Sequence, residues 1–408
     1  MKLFSTLGLV FLGCASLASA ASSAPADSNL RTLANYRGIR FGAAVTFPGS
    51  NRALYDSTLS QQYNTVVCEN AMKFGNIEPT NGNFNFTNAD AIVDWAVAHN
   101  MSIRGHNLLW YQQSGYLANL KTASVSRDSF FVLMRRHVNT VMGRYKGKIY
   151  EWDVVNEAID ENQADGNRKG ANSFYEISGN KNDYIDSMFV WAHKADSSAH
   201  LIYNDYNVEG GSMGGSNTKK VNFMYEMVKG MKQRGVPIMG VGFQSHLTSF
   251  DTAAIAANMR RYDSLGLTVS ITELDISINS ATDSAVLKTQ KGWYKAVMAM
   301  CLRAPNCKTF MTWGVNDESS WHSNQYPLIF KGAATMTKKP AYYGLQEAFL
   351  EAGGGPVAIA RPAQGRAAQA IPALLRRPES GVVGARDPRG NLFDMRGRNM
   401  FSPAPALK

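Results

Sequence analysis

Between about residue 38 and residue 350 the chain alternates two hydrophobic rhythms. Short, nearly continuous apolar runs rich in β-branched and aromatic residues read as strands buried on both faces. They fall at 39–45, 65–69, 102–108, 150–156, 200–205, 238–245, 268–274 and 307–313. Between them lie stretches with apolar positions three and four apart, such as 89–99, 129–145, 217–234 and 289–302, which predict amphipathic helices. A last helix is expected over 342–350, after Lys339-Pro340. Eight strands, each followed by a helical stretch, predict an α/β fold of the (β/α)8 TIM barrel type. A doubly wound open sheet is the competing architecture. It is disfavoured because the first strand-turn has no glycine-rich phosphate fingerprint.

A barrel of this kind keeps its chemistry at the carboxyl ends of its strands. Those ends are rich in functional groups here. They supply Glu69-Asn70 with Lys73 nearby, His106 with Trp110, Asn204 with Tyr206, Gln244 with His246, and Trp313 with Trp321. The two most telling ends are Tyr150-Glu151-Trp152-Asp153-Val154-Val155-Asn156-Glu157 and Thr268-Val269-Ser270-Ile271-Thr272-Glu273-Leu274-Asp275-Ile276. Each closes a buried strand on a glutamate, and parallel strands could set Glu157 and Glu273 face to face across the mouth. A single strand-end glutamate is ordinarily just solvated. That bland explanation fits poorly with amides, carboxylates, histidines and tryptophans gathered at one rim. Asp275, two residues beyond Glu273, shares its strand face by the period of two. Trp95, Trp191 and Trp293 fall in helical stretches and are expected in the core.

Charge changes the picture only at the carboxyl end. The 408 residues carry a net +10, but residues 353–408 hold nine Arg or Lys against three acids, and residues 21–352 hold 32 against 29. The main domain therefore gives no support to a nucleic-acid partner. The tail, with seven prolines and eight glycines, reads as a Gly/Pro/Arg-rich linker or disordered extension with one island at 391–400. At the other end, Lys2, an apolar run over 3–17 and Ala18-Ser19-Ala20 form a signal peptide cleaved after Ala20. A lipoprotein cleavage box at Cys14 fits badly. The expected domains are thus 1–20, 21–352 and 353–408, with no internal run long enough to span a bilayer. Export permits a disulfide, and Cys301 and Cys307 flank a short loop that such a bond would close. Cys68 is then an odd, buried thiol. No Cys/His grouping has metal-ligand spacing.

The strand-end strings, in their order along the chain, resemble glycoside hydrolase family 10, the endo-β-1,4-xylanases, from about 38 to 350. Trp152-Asp153-Val154-Val155-Asn156-Glu157 is similar to the segment bearing that family's acid/base, and Thr272-Glu273-Leu274-Asp275 to the segment bearing its nucleophile. The resemblance implies retention, with Glu273 attacking the sugar and Glu157 acting first as acid and then as base. A retaining pair stands only ~5–5.5 Å apart, because the second carboxylate attacks directly. Glu157 must then hold a proton, and nearness to ionised Glu273 is the expected reason. The resemblance further implies that Asp275 orients His246, whose other nitrogen bonds Glu273. It gives Asn156 and Gln244 to the sugar's 2-hydroxyl, and Glu69, Asn70, Lys73 and His106 to the glycone side. For Lys73 an ion pair with Glu69 competes with that role. Trp110, Trp313 and Trp321 are placed to stack on pyranose rings. Asn204 is expected to bind substrate, and Tyr206 to form a platform on the leaving-group side or simply to pack. Phe74, Gly75 and Tyr111 depart from the family pattern, which has Trp, Asp and His there.

The resemblance implies a secreted bacterial monomer acting on xylan and xylo-oligosaccharides without a cofactor or metal. A β-1,4-glucanase differs by room for a hydroxymethyl group, which Trp313 and Trp321 would crowd. An inactive xylan-binding protein is the reading from another class, and the intact carboxylate pair argues against it. In the tail, Phe393-Asp394-Met395-Arg396-Gly397-Arg398 resembles a strand of the sorting domain on type IX-secreted proteins. It is also similar to basic segments on secreted fibre-degrading enzymes, which suggests a secretion or attachment signal.

Overall fold

The computed structural model describes residues 28–112, 125–170, 173–210 and 218–353, together with the short strands Ala385–Arg386 and Leu392–Phe393. The leader expected at 1–20 and the rest of the tail lie outside the described residues. The eight barrel strands are β1 (Arg40–Val45), β2 (Thr65–Cys68), β3 (Ser102–His106), β4 (Glu151–Asn156), β5 (His200–Asp205), β6 (Gly240–Phe243), β7 (Thr268–Ile276) and β8 (Cys307–Thr312). Successive strands pair in parallel, and β1 pairs with β8 at Arg40↔Thr309, so the sheet closes on itself. The short segment His246–Leu247 extends β6 sideways to meet Asp275 and Ile276 of β7.

Helices cover the outside. The sequence reading starts four of the five expected helices late, and in two of them the first turn is fixed by capping rather than by apolar periodicity. Asp283 accepts the amides of Ala285 and Val286 to begin Ser284–Arg303, and Ser126 accepts that of Ser129 to begin Arg127–Tyr145. The sixth strand is shorter than expected. Ser245 turns into the left-handed region at φ 65, which ends the extended run before it. The tail also differs from a plain linker, since Ala385–Arg386 pairs antiparallel with Leu392–Phe393.

The core is continuous from the helices to the strands, and Trp95, Trp191 and Trp293 are only partly buried against it. Inside the barrel, Gly105 is required by close approach. A Cβ there would lie 2.1 Å from the indole of Trp152 on the next strand. Cys301, near the end of Ser284–Arg303, is disulfide-bonded to Cys307, the first residue of β8. Cys68 is free and buried, and burial pushes its thiol up to about 12.

Candidate active site

The strand ends depart from regular geometry where the polar residues stand. Glu157 (φ 57), Asn207 (φ 55) and Ser245 (φ 65) occupy backbone space that residues with side chains seldom enter. β4 slips register against β5 between Asp153 and Val155, and β7 slips against β8 between Ile271 and Leu274. Such an irregularity changes which face the following side chains take. In strict alternation Asp153 and Asn156 would point opposite ways, as would Thr272 and Glu273. With the slips, all four contribute to one interior polar cluster.

That cluster joins the two glutamates. Glu157 Oε1 accepts from Gln244 Nε2 at 2.9 Å and from Asn156 Nδ2 at 3.2 Å, while Oε2 accepts from Trp110 Nε1 at 2.8 Å. Glu273 Oε1 accepts from Asn204 Nδ2 at 2.7 Å, and Oε2 faces His246 Nε2 at 3.4 Å. Asn204 Nδ2 also reaches Asn156 Oδ1 at 2.8 Å, so two amides bridge the carboxylates. Thr272 Oγ1 donates to Asn204 Oδ1 at 2.7 Å and orients that amide. His246 Nδ1 lies 2.8 Å from Asp275 Oδ2, which also accepts from Trp321 Nε1 at 2.8 Å. The backbone of Glu157 is pinned at both ends. Its N–H donates to the Asn204 carbonyl at 2.9 Å, and its own carbonyl accepts from Arg168 Nε at 3.0 Å.

The two carboxyls are driven in opposite directions. Burial raises the proton affinity of Glu157 first, and the charge of Asp205 adds to it; Glu273 is a lesser contributor. This corrects the sequence reading, which credited Glu273. The difference is that Asp205, beside Asn204 at the end of β5, was not placed from sequence. Burial pushes Glu273 up as well, but the hydrogen bond and charge of His246 and the Asn204 amide leave it below the usual carboxylate range. His246 would be pushed down by burial. The charge and hydrogen bond of Asp275, with Glu273 behind them, instead raise it to about 10. His246 is therefore an imidazolium beside an ionised Glu273.

The remaining expected residues divide. Lys73 donates to Asn70 Oδ1 at 2.9 Å, while Glu69 accepts from Thr46 Oγ1 at 2.8 Å, so the competing Lys73–Glu69 ion pair is not formed. Trp110 donates its in-plane N–H to Glu157, and Lys73 Nζ sits 4.9 Å from its ring centroid, so one face of the indole is shared with a cation. Asn204 is fully buried and spent on Glu273 and Asn156, so it supports the pair rather than lining open space. Trp313 is buried edge-on to His106 at 5.0 Å, whereas Trp321 is 56% exposed and lies edge-on to His246 at 4.8 Å. One face of Tyr206 is taken by Lys220 Nζ, 3.2 Å from the ring centroid. Sequence reasoning missed Arg168, Asp205 and Thr272. The last two stand inside strings already singled out, but Arg168 lies in a loop and gives no local signal. It lines a cavity of about 250 Å³ beside Trp110, Tyr111 and Asn156.

His106, Asp153 and Glu273 offer ligand atoms within 4.8 Å of one another. Asp153 is already shared between Arg104 and His106, and Glu273 Oε1 is taken by Asn204, so this set is a hydrogen-bonded cluster abutting a guanidinium rather than a cation site.

Residues 29–348 match the family model described as glycosyl hydrolase family 10. The chain is 37% identical over 325 residues to endo-1,4-beta-xylanase A of Caldicellulosiruptor sp. strain Rt8B.4, covering 74% of this chain and 46% of that one. It is 35% identical over 324 residues to endo-beta-1,4-xylanase Xyn10C of Cellvibrio japonicus, covering 72% and 52%. The chain thus spans about half the length of these curated relatives. Among solved structures, xylanase 10B of Thermotoga petrophila RKU-1 in complex with xylobiose superposes with a TM-score of 0.72 at 31% identity, covering 79% of this chain and 97% of that one.

Proposed function

The chain belongs to glycosyl hydrolase family 10, and on that premise we propose that it is a retaining endo-β-1,4-xylanase. The observation that carries this reading is the split in protonation. Glu157 is biased to keep its proton and Glu273 to lose one, within a single hydrogen-bonded cluster. Protonated Glu157 gives its proton to the glycosidic oxygen while a Glu273 oxygen attacks the anomeric carbon, so the leaving sugar departs as an alcohol. Glu157, now a carboxylate, takes a proton from water. The hydroxide equivalent displaces Glu273 and releases the sugar with its original configuration.

The Asn156 amide, with one N–H on Glu157, offers its second to the sugar's 2-hydroxyl, and Gln244, whose Nε2 reaches both Glu157 Oε1 and Asn156 Oδ1, turns one N–H from Asn156 to the same hydroxyl. Glu69, Asn70, Lys73 and His106 face the glycone, and Tyr206 lies on the leaving-group side. Trp313 and Trp321 leave little room for a hydroxymethyl group, which favours xylan over cellulose. The leader makes the protein a secreted one, residues 21–352 carry the catalysis as a monomer, and the basic tail serves export or attachment.

The test is Glu157→Ala on two substrates. An aryl xylobioside with an acidic phenol needs little protonation, so its glycosylation survives while deglycosylation slows. Xylan loses ~10²–10⁴-fold, the usual worth of general acid–base catalysis. Azide then restores aryl turnover and yields a β-glycosyl azide. Equal impairment of both substrates with no azide effect rejects Glu157 as the acid/base, and an α-azide rejects retention.

A further inference from the structure

One buried cation near the mouth takes no part in the chemistry above. Arg104 stands on β3 two residues before His106, with its side chain fully enclosed. Nε donates to Glu151 Oε1 at 2.5 Å, and Nη2 donates to Asp153 Oδ1 at 2.5 Å. The second oxygen of Glu151 accepts from Ser270 Oγ of β7 at 3.0 Å. The second oxygen of Asp153 lies 2.8 Å from His106 Nδ1. Desolvating a guanidinium is costly, and barrel interiors are ordinarily filled with branched apolar side chains.

The fork fixes Asp153. With Oδ1 committed to Arg104, the carboxylate cannot rotate, and Oδ2 offers the imidazole one direction of approach. An ionised carboxylate only accepts hydrogen bonds, so His106 must carry a proton on Nδ1 to meet it. Its Nε2 then lies 3.3 Å from Asn107 Nδ2, an amide nitrogen that can donate to it. Trp313 supports the ring from the side, and His106 Nδ1 stands 3.9 Å from Glu273 Oε1. The chain Arg104–Asp153–His106 thus approaches Glu273 from the oxygen opposite the one that His246 faces.

We propose that Arg104 and Asp153 are positioning residues that hold His106 in its Nδ1–H form against Glu273 and the glycone-side sugar. The kinetic part of this rests on the xylanase reading; the state of the imidazole does not. Nitrogen-15 spectra of the full-length protein, with His106 assigned by loss of its signals in His106→Ala, should show Nδ1 protonated. Asp153→Asn keeps the shape but turns an N–H toward the ring, so the proton should move to Nε2. In that variant kcat/KM on an aryl xylobioside should fall by about 10–100-fold, the worth of a charge-assisted hydrogen bond. Asp153→Asn combined with His106→Ala should be no slower than His106→Ala alone, because both act through one ring. Arg104→Lys keeps the charge without the fork and should move both readouts the same way by less, which preserves the test if Asp153→Asn does not fold. An Nε2–H imidazole in the wild type, or losses that multiply in the double variant, would overturn the proposal. A wild type inert on every xyloside would reject the function proposed above, and the ring spectrum alone would then decide this one.

Discussion

Replacing Asp275 by Asn should move one limb of the pH–rate profile and leave the other in place. Asp275 and Glu273 bracket His246 at 2.8 Å and 3.4 Å and raise it from 6.5 to about 10 against its burial. That is roughly 5 kcal/mol in favour of the imidazolium, at about 1.4 kcal/mol per pH unit. Asparagine can still accept from His246 Nδ1 and Trp321 Nε1 through its carbonyl, so the geometry survives while the charge goes. Asp275 supplies the largest of the effects that raise His246, so without it the ring's proton affinity falls and its charge is lost at lower pH.

Glu273 would lose the cation that faces its Oε2. An opposite charge at this range lowers a carboxylate by about 1–3 pH units. The Asn204 amide remains in place, so part of the support of Glu273 survives while its proton affinity rises. In the proposed mechanism Glu273 attacks as a carboxylate, so raising its proton affinity moves the acid limb of kcat/KM upward. The alkaline limb reports Glu157, whose state comes from burial and Asp205, and should stay where it is. The assay is initial rate against pH on an aryl xylobioside at low substrate. An acid limb that does not move, or two limbs that move together, would show that His246 does not set the ionisation of Glu273.

Stability should respond on the alkaline side. The folded-state value of His246, about 10, lies above its ordinary 6.5, so its contribution is complete below about pH 6.5 and is lost as pH rises through 10. The wild-type Tm should fall over that window more than the Asp275→Asn Tm does, and parallel curves would refute the assignment. Cys301→Ser with Cys307→Ser opens a loop of sequence separation 6 and should cost about 2 kcal/mol. For a domain this size that is a fall in Tm of about 3–4 °C, and no change by calorimetry would remove any stabilising role. Gly105→Ala forces a Cβ to 2.1 Å from Trp152 and should cost about 1–3 kcal/mol in denaturant titrations. A truncation ending at Gly354 should keep xylan turnover within about twofold, on the order of ordinary surface changes. A folded but inactive truncation would contradict the division between barrel and tail.

The barrel was legible because its strands are buried on both faces, so each announced itself as an apolar run with polar residues crowding one end. The same property hid the site's geometry. In a strand apolar on both faces, alternation carries no information about which way a residue points, and β4 is buried at every position. Counting by twos from Glu273 correctly set Asp275 on the same face. Counting by twos from Asp153 would have sent Asn156 away from the cluster it joins, because the register slip lies between them. Arg104 gave no warning either. A single arginine in a strand normally implies a solvent edge, and its two carboxylate partners lie 47 and 49 residues away.

The origin of the protonation split is the part that sequence reading got least right, and it bears on how the site works. If Glu273 were the chief reason that Glu157 holds its proton, the two groups would titrate as a coupled pair. Glu157 would also lose proton affinity, and become the poorer base for the second step, as soon as Glu273 was consumed in the covalent intermediate. The structure gives each carboxyl its own support instead. Glu157 answers to burial and to Asp205, and Asp205 is itself fixed by Tyr203 Oη at 2.6 Å and Lys220 Nζ at 2.9 Å. Glu273 answers to His246, and His246 to Asp275. In the proposed mechanism, loss of the Glu273 charge in the first step removes a contribution to Glu157 that ranks below those of burial and Asp205. Glu157 would then change from acid to base by giving up its proton to the leaving group, with burial and Asp205 unchanged around it. The separate supports are why single substitutions on β7 and β5 should shift opposite limbs of one profile.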